Sequence, residues 1–232
     1  PSGHALHARY AVLVRAETAQ MGDIITCAGD RVSLSFKLET SSPVEKVEVR
    51  NGMGVIETLR PYGPDDLGQR VRVLMSGADR RGKGSRARWN GTAHIEGGVI
   101  KGFAPIAAWN SELPCSLDED GVVTFEARTA GNMMGFDLWL DDMAGSRLVM
   151  ETGNGPVDLD LGELGYGERV FEMGGLARQV RVLGLPDENP HLSFEGSVAV
   201  PLEAGRDNPV WICVTTEDGH QAWSSPVYVV GV

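Results

Sequence analysis

The sequence predicts an all-β protein: an immunoglobulin-like β-sandwich with a second β-sandwich inserted into it, and few or no helices. Three observations predict this. Apolar and polar residues alternate with period two in short runs along the chain. The chain's 30 glycines and 12 prolines punctuate those runs. No stretch of 3.6-residue periodicity exceeds two turns, residues 13–21 being the one ambiguous region. A strand sends successive side chains to opposite faces, so each run offers one dry face and one wet face. Many short strands between regular turn signals make a sandwich or a barrel.

The runs follow one another legibly. Val32-Ser33-Leu34-Ser35-Phe36-Lys37-Leu38 alternates cleanly, as does Val44-Glu45-Lys46-Val47-Glu48-Val49. Asn51-Gly52 then has the composition of a type I′ hairpin turn, whose two central residues both need positive φ. Val71-Arg72-Val73-Leu74 comes next, and Glu96-Gly97-Gly98 separates residues 92–95 from Val99-Ile100-Lys101. Val123-Thr124-Phe125-Glu126-Ala127, Phe136-Asp137-Leu138-Trp139-Leu140, Val157-Asp158-Leu159-Asp160-Leu161 and Val180-Arg181-Val182-Leu183 continue the pattern.

The clearest hairpin is the last, residues 210–216 and 222–230 around Glu217-Asp218-Gly219-His220, with Asp218 and Gly219 at the turn. Its second arm contains Pro226, which has no N–H for a ladder and so marks an edge, a bulge or a strand start. With unbroken alternation Trp223, Ser225, Val227 and Val229 share one mostly apolar face. Trp223 is therefore expected to be buried and structural.

Residues 8–76 supply about five strands and the last hairpin two more. Seven is the strand count of an immunoglobulin-like sandwich. The expected organisation is a discontinuous sandwich of residues 1–84 with 204–232, and an inserted sandwich of residues 85–203. Arg206-Asp207-Asn208-Pro209 would mark the return crossing.

The formal net charge of −11 argues against nucleic acid, which selects basic surfaces. No apolar run approaches the ~20 residues that span a bilayer, so no membrane association is expected. Cys27, Cys115 and Cys213 are odd in number and form no CxxC or CxxH pair. They read as free thiols among apolar neighbours, which slightly favours a reducing, cytoplasmic compartment. Pro1-Ser2-Gly3-His4 has no apolar signal-peptide core and reads as the start of a processed chain or of a piece of a longer one.

Site chemistry is sparse. The histidines His4, His7, His94, His191 and His220 form no HxH or HExxH pattern. Ser224-Ser225-Pro226 lacks the GxSxG elbow. Asp118-Glu119-Asp120-Gly121, Asp141-Asp142 and the pair Asp158 and Asp160 are the carboxylate candidates for calcium at a strand end, and Asp118–Gly121 reads first as an ordinary polar turn. No catalytic, cofactor-binding or metal-ligating residue is assigned in this chain. Residues 76–88 are basic and glycine-rich, and lack the phosphate-loop spacing. They read as a solvated loop, or as an anion or partner contact made by Arg80, Arg81, Lys83 and Arg86. Trp89, Trp109, Trp139, Trp211 and Trp223 read first as core packing, with a stacking platform for a ligand as the rival reading.

Three patches resemble a large bacterial family, the DUF3604 proteins, relatives of PHP-type metal-dependent phosphoesterases. Arg9-Tyr10-Ala11 with Gln20-Met21-Gly22-Asp23-Ile24 resembles the family's "R-x-Y-A-T-T-G … M-G" stretch, although Ala11-Val12-Leu13-Val14 stands in place of A-T-T-G. Arg88-Trp89-Asn90-Gly91 with Gly97-Gly98-Val99-Ile100 looks like "W-x-G … G-G-x-I". Residues 206–228, which contain Asp218-Gly219 and Ala222-Trp223-Ser224-Ser225-Pro226, are similar to the ending "Y-V-R-V-x-Q-x-D-G-x-x-A-W-S-S-P-I". The family's metal ligands lie upstream of these patches. The resemblance thus implies a non-catalytic C-terminal accessory region that packs on, or presents substrate to, an upstream catalytic domain of the same polypeptide. A divalent metal is expected only in that domain. The alternative is a free-standing carbohydrate- or protein-binding sandwich.

Overall fold

Alternation decides the first strands. In the computed structural model, which describes residues 10–108, 110 and 112–231, the chain begins with β1 (Tyr10–Ala16), β2 (Ala19–Gln20), β3 (Ile24–Cys27), β4 (Arg31–Thr40), β5 (Val44–Asn51) and β6 (Gly54–Leu59). On β4 Val32, Leu34, Phe36 and Leu38 are buried and the residues between them exposed. His4, His7, Arg9 and Trp109 lie outside the described residues. The β5–β6 turn is Gly52-Met53, since Asn51 pairs with Gly54. Gly52 has φ +57 and Met53 is not in the left-handed region, so the turn is not the type I′ turn at Asn51-Gly52 that composition suggested.

A second group follows: β7 (Arg70–Ala78), β8 (Ala87–Glu96), β9 (Ile100–Ile106), β10 (Cys115–Leu117), β11 (Val123–Thr129), β12 (Met133–Leu140), β13 (Arg147–Thr152), β14 (Gly155–Asp160), β15 (Glu168–Glu172) and β16 (Leu176–Leu185). The chain ends with β17 (Ser193–Pro201), β18 (Asp207–Thr216), β19 (Gln221–Trp223) and β20 (Val227–Gly231). Single 3-10 turns at Pro64–Asp66 and Leu161–Glu163 are the only helical segments among the described residues.

These strands make two sandwiches, one of residues 1–61 with 189–232 and the other of residues 62–188. The first has a four-stranded sheet, β17-β4-β1-β2, and a six-stranded sheet, β3-β20-β18-β5-β6 with β19 beside β18. This exceeds the seven strands expected. Its core takes Leu34 and Phe36 from one sheet and Val47, Ile212 and Val229 from the other. The second pairs the sheet β10-β11-β8-β13-β14 with the sheet β15-β16-β7-β12-β9, around Trp89, Phe125, Phe136 and Leu148. The Trp89 indole N–H donates to Thr129 Oγ1 at 2.9 Å, so the ring is buried with its polar atom satisfied.

The boundaries therefore fall at 61/62 and 188/189, not at 84 and 204. The expected division fails at two strands. β7 pairs with β12 and β16 in the inserted sandwich. β17 pairs with β4 from Ser193 opposite Glu39 to Pro201 opposite Arg31. Alternation fixes which face of a strand is dry and leaves its partner open.

The outer face of the β15-β16-β7-β12-β9 sheet is also dry. Tyr62, Leu74, Ile106, Leu183 and Leu185 form a small second core there. The runs around Val71 and Phe136, expected to have a wet face, are buried on both sides. Asp137, 1% exposed, is held by two guanidiniums. Arg72 Nε donates to Oδ1 at 2.7 Å and Arg72 Nη2 to Oδ2 at 2.8 Å. Arg70 donates to Oδ2 from Nε at 3.0 Å and from Nη2 at 2.5 Å. The Arg70 guanidinium lies 5.0 Å from the centroid of Trp139, whose indole N–H reaches the Asp187 carbonyl. Buried charge on a sheet persists only when paired in this way.

Candidate binding face

The final hairpin builds the candidate site. β18 and β19 align from Thr215 opposite Gln221 to Cys213 opposite Trp223. Gly219 takes φ +85 at the turn, and the Asp218 carboxylate accepts from the Thr216 hydroxyl at 2.6 Å and the His220 N–H at 3.2 Å. Burial alone would raise the Asp218 pKa, but these bonds and the neighbouring His220 hold it below the usual value.

Beyond Trp223 the register changes. β20 realigns on β18 with Val227 opposite Val210. Between those two pairs β18 has Trp211 and Ile212, while the returning arm has Ser224, Ser225 and Pro226. The extra residue is a bulge, and one extra residue inverts the facing of everything before it. Ser224 seals it, its N–H donating to the Ile212 carbonyl and its Oγ accepting from the Ile212 N–H, both at 3.0 Å. Val227 and Val229 point inward, fully buried, and Trp223 points outward, 62% exposed. The expectation that Trp223 is buried is thus overturned, and Pro226 is the residue whose missing N–H fits the break.

Trp223 has aromatic company. Tyr228 stands opposite Pro209 on one side and Ile24 on the other. Both Tyr228 and Ile24 are exposed. Val210 and Ile212 face the core, so Pro209, Trp211 and Cys213 lie on the outer face. Trp211 is then a diagonal neighbour of both Trp223 and Tyr228, within reach of large side chains. It is half-buried, its indole N–H donates to the Gly52 carbonyl at 2.9 Å, and the Arg50 guanidinium lies 5.4 Å from its ring centroid. Next to this patch β5 carries an ionic row, with Glu48 joined to Lys46 at 3.0 Å and to Arg50 at 2.6 Å.

Burial alone would raise the Glu48 pKa, but the Lys46 charge and hydrogen bonds from Arg50 and Lys46 hold it below the ordinary glutamate value. A lowered carboxylate stabilises the fold above its unfolded-state pKa, and that contribution is lost as pH falls through the lowered value. Glu48→Gln is expected to destabilise the protein at neutral pH by up to about 1 kcal/mol. The difference should close below the carboxylate range. Urea unfolding across a pH series checks this, and a pH-independent difference would contradict it.

Cys115 and Cys213 are poorly suited to act as nucleophiles. Burial pushes both Cys115 and Cys213 up to about 11, and a protonated thiol attacks poorly. Cys27 and Cys115 are half-buried and Cys213 is buried. The acidic runs are turns and surface pairs. Asp118 Oδ1 accepts from the N–H groups of Asp120 and Val122, Asp141 accepts from the Val99 N–H, and Asp158 pairs with Arg147. Among the described residues no group of three or more His, Cys, Asp or Glu is placed to hold a metal ion. Arg80, Arg81, Lys83 and Arg86 are all exposed on the β7–β8 loop, and only Arg80 and Arg81 line a cavity there.

Sequence reasoning singled out Trp211 and Trp223 but missed Tyr228 and Ile24. They meet through a parallel pairing of β3 and β20, which no local motif announces. No family model matches the chain, and no curated protein or solved structure matches it either.

Proposed function

We propose that this chain is a non-catalytic binding module, an accessory β-sandwich region that holds a carbohydrate on the aromatic outer face of its six-stranded sheet. The observation that carries the reading is the exposed indole of Trp223, beside Trp211 and near Tyr228 on one sheet face. Sugar rings present C–H faces that pack on aromatic planes, and their hydroxyls need charged or amide partners at the edge. Glu48, Arg50 and Gln221 lie on the same face and offer both donors and acceptors. The resemblance of residues 206–228 to the DUF3604 ending supports an accessory role beside an upstream metal-dependent hydrolase, which would bring its own divalent metal.

Affinity electrophoresis against a panel of soluble polysaccharides tests the proposal. At least one polysaccharide should retard the wild-type chain. Trp223→Ala should weaken that binding by at least about 30-fold, the effect of a stacking anchor. Its stability should shift by no more than about 0.5 kcal/mol, as for an exposed site. Retardation by none, or a variant that melts like a core mutant, would end the carbohydrate reading.

A further inference from the structure

The geometry points to a second ligand site, an oxyanion pocket in the inserted sandwich that takes the phosphate or sulfate group of a small molecule. It is independent of the Trp223 face. A cavity of about 460 Å³ opens beside the loop joining β7 to β8, with Arg80 and Arg81 on its wall. That volume lies in the usual range of small-molecule sites.

The charges there are unusual for this chain. Acidic residues outnumber basic ones by 32 to 21, so a cation readily finds a carboxylate, as Arg147, Arg181 and Arg206 do. The loop carries one acid, Asp79, and Arg178 holds it at 2.7 Å while donating from Nε to the Met173 carbonyl. Among the described residues the side chains of Arg80, Arg81, Lys83 and Arg86 make no ion pair or hydrogen bond. Four neighbouring cations therefore remain available to an anion.

The backbone shapes the cavity. Ser76 and Gln179 stand opposite each other on β7 and β16, and immediately beyond them the register shifts between Leu176 and Gln179. Ala177 occupies the left-handed region there, at φ +48, against Gly77 at φ +92. A Cβ on Gly77 would lie 2.1 Å from the Ala177 carbonyl oxygen, so only glycine allows this approach. Left-handed alanine is strained, and strain held at a cavity wall is a mark of functional sites. The loop is closed on itself by two hydrogen bonds. The Arg80 N–H donates to Ser85 Oγ at 3.1 Å, and the Ser85 N–H to the Gly82 carbonyl at 3.2 Å. Ser76, Ser85 and Gln179 add polar groups to the lining. Two arginines with hydroxyl and amide groups on the same cavity lining are the donor set that suits the tetrahedral oxyanion of a phosphate or sulfate ester.

Two double variants of equal charge change separate a built pocket from diffuse attraction. Inorganic pyrophosphate and inorganic sulfate serve as probes in calorimetric titrations at low salt. Pyrophosphate should bind the full chain saturably at one site. R80Q/R81Q should weaken it by at least about tenfold, and K83Q/R86Q, outside the cavity, by less than about threefold. Sulfate binding weakened by the same variant would extend the site to sulfate esters, and its absence would confine the site to phosphoryl groups. Equal losses from the two variants, or no saturable binding of either probe, would overturn the proposal. All four positions are exposed, and circular dichroism of each variant confirms folding.

Discussion

Asp137→Ala is expected to destabilise the inserted sandwich by about 3–5 kcal/mol, the usual consequence of removing one partner from a buried ion cluster. The carboxylate is 1% exposed, Arg72 is equally buried, and Arg70 is 6% exposed. Removing it strips both guanidiniums of the anion that faces them across β7 and β12. With domain stabilities of about 5–15 kcal/mol, much of the folded population would be lost. Asp158→Ala, on an exposed pair with Arg147, should change little. Replacing the cluster as a set, with Arg70→Met, Arg72→Met and Asp137→Leu, should recover most of the loss, since apolar residues of like volume often serve as well. Urea unfolding of the variants measures this, and a loss below about 1 kcal/mol for Asp137→Ala would show the cluster to be wetter than its geometry.

Deleting residues 204–232 is expected to unfold the first sandwich altogether. The deletion removes β18, which lies between β5 and β20 in the six-stranded sheet, together with β19 and β20. Val210, Ile212, Val214, Val227 and Val229 leave the core with it. Five buried aliphatic side chains amount to roughly 10 kcal/mol of lost burial, comparable to the whole stability of a domain. The remaining strands would expose a dry face and aggregate. The inserted sandwich keeps both of its sheets, so limited proteolysis should leave a resistant fragment near residues 62–188. A truncated chain that stays soluble and keeps the wild-type melting profile would refute this.

The dry faces of individual strands were legible because burial repeats every second residue. Val32 to Leu38 on β4, and Val123, Phe125 and Ala127 on β11, are buried where alternation puts them. Three things were not legible, each for a physical reason. Partner choice was hidden, because the faces of β7 and β17 look alike whichever sandwich takes them. Two-sided burial was hidden, because Arg72 and Asp137 read as a wet face until β12 sets them against each other. The bulge was half-visible. Pro226 signalled a break, but only the pairing with β18 shows that one extra residue turns Trp223 outward. The candidate face needed that third fact, so Trp211 and Trp223 were nameable from sequence, while Tyr228, Ile24 and the orientation of the face were not. The basic loop was visible as composition, while the cavity beside it depends on the irregularity of β16 at Ala177.

The inserted sandwich begins and ends on neighbouring strands, with Arg70 of β7 opposite Leu185 of β16. The Gly68 N–H bonds to the Leu185 carbonyl, and the Gln69 N–H to the Asp187 carboxylate at 2.8 Å. Once this unit has formed, its incoming and outgoing chains are about 5 Å apart, one strand spacing. To the flanking segments, the entire insert then behaves like a short hairpin loop. Closing the same gap across a disordered insert would take roughly 2–3 kcal/mol more in chain entropy. The insert has its whole core in one continuous stretch and can form first, and its completion brings β6 and β17 within reach of their shared sandwich.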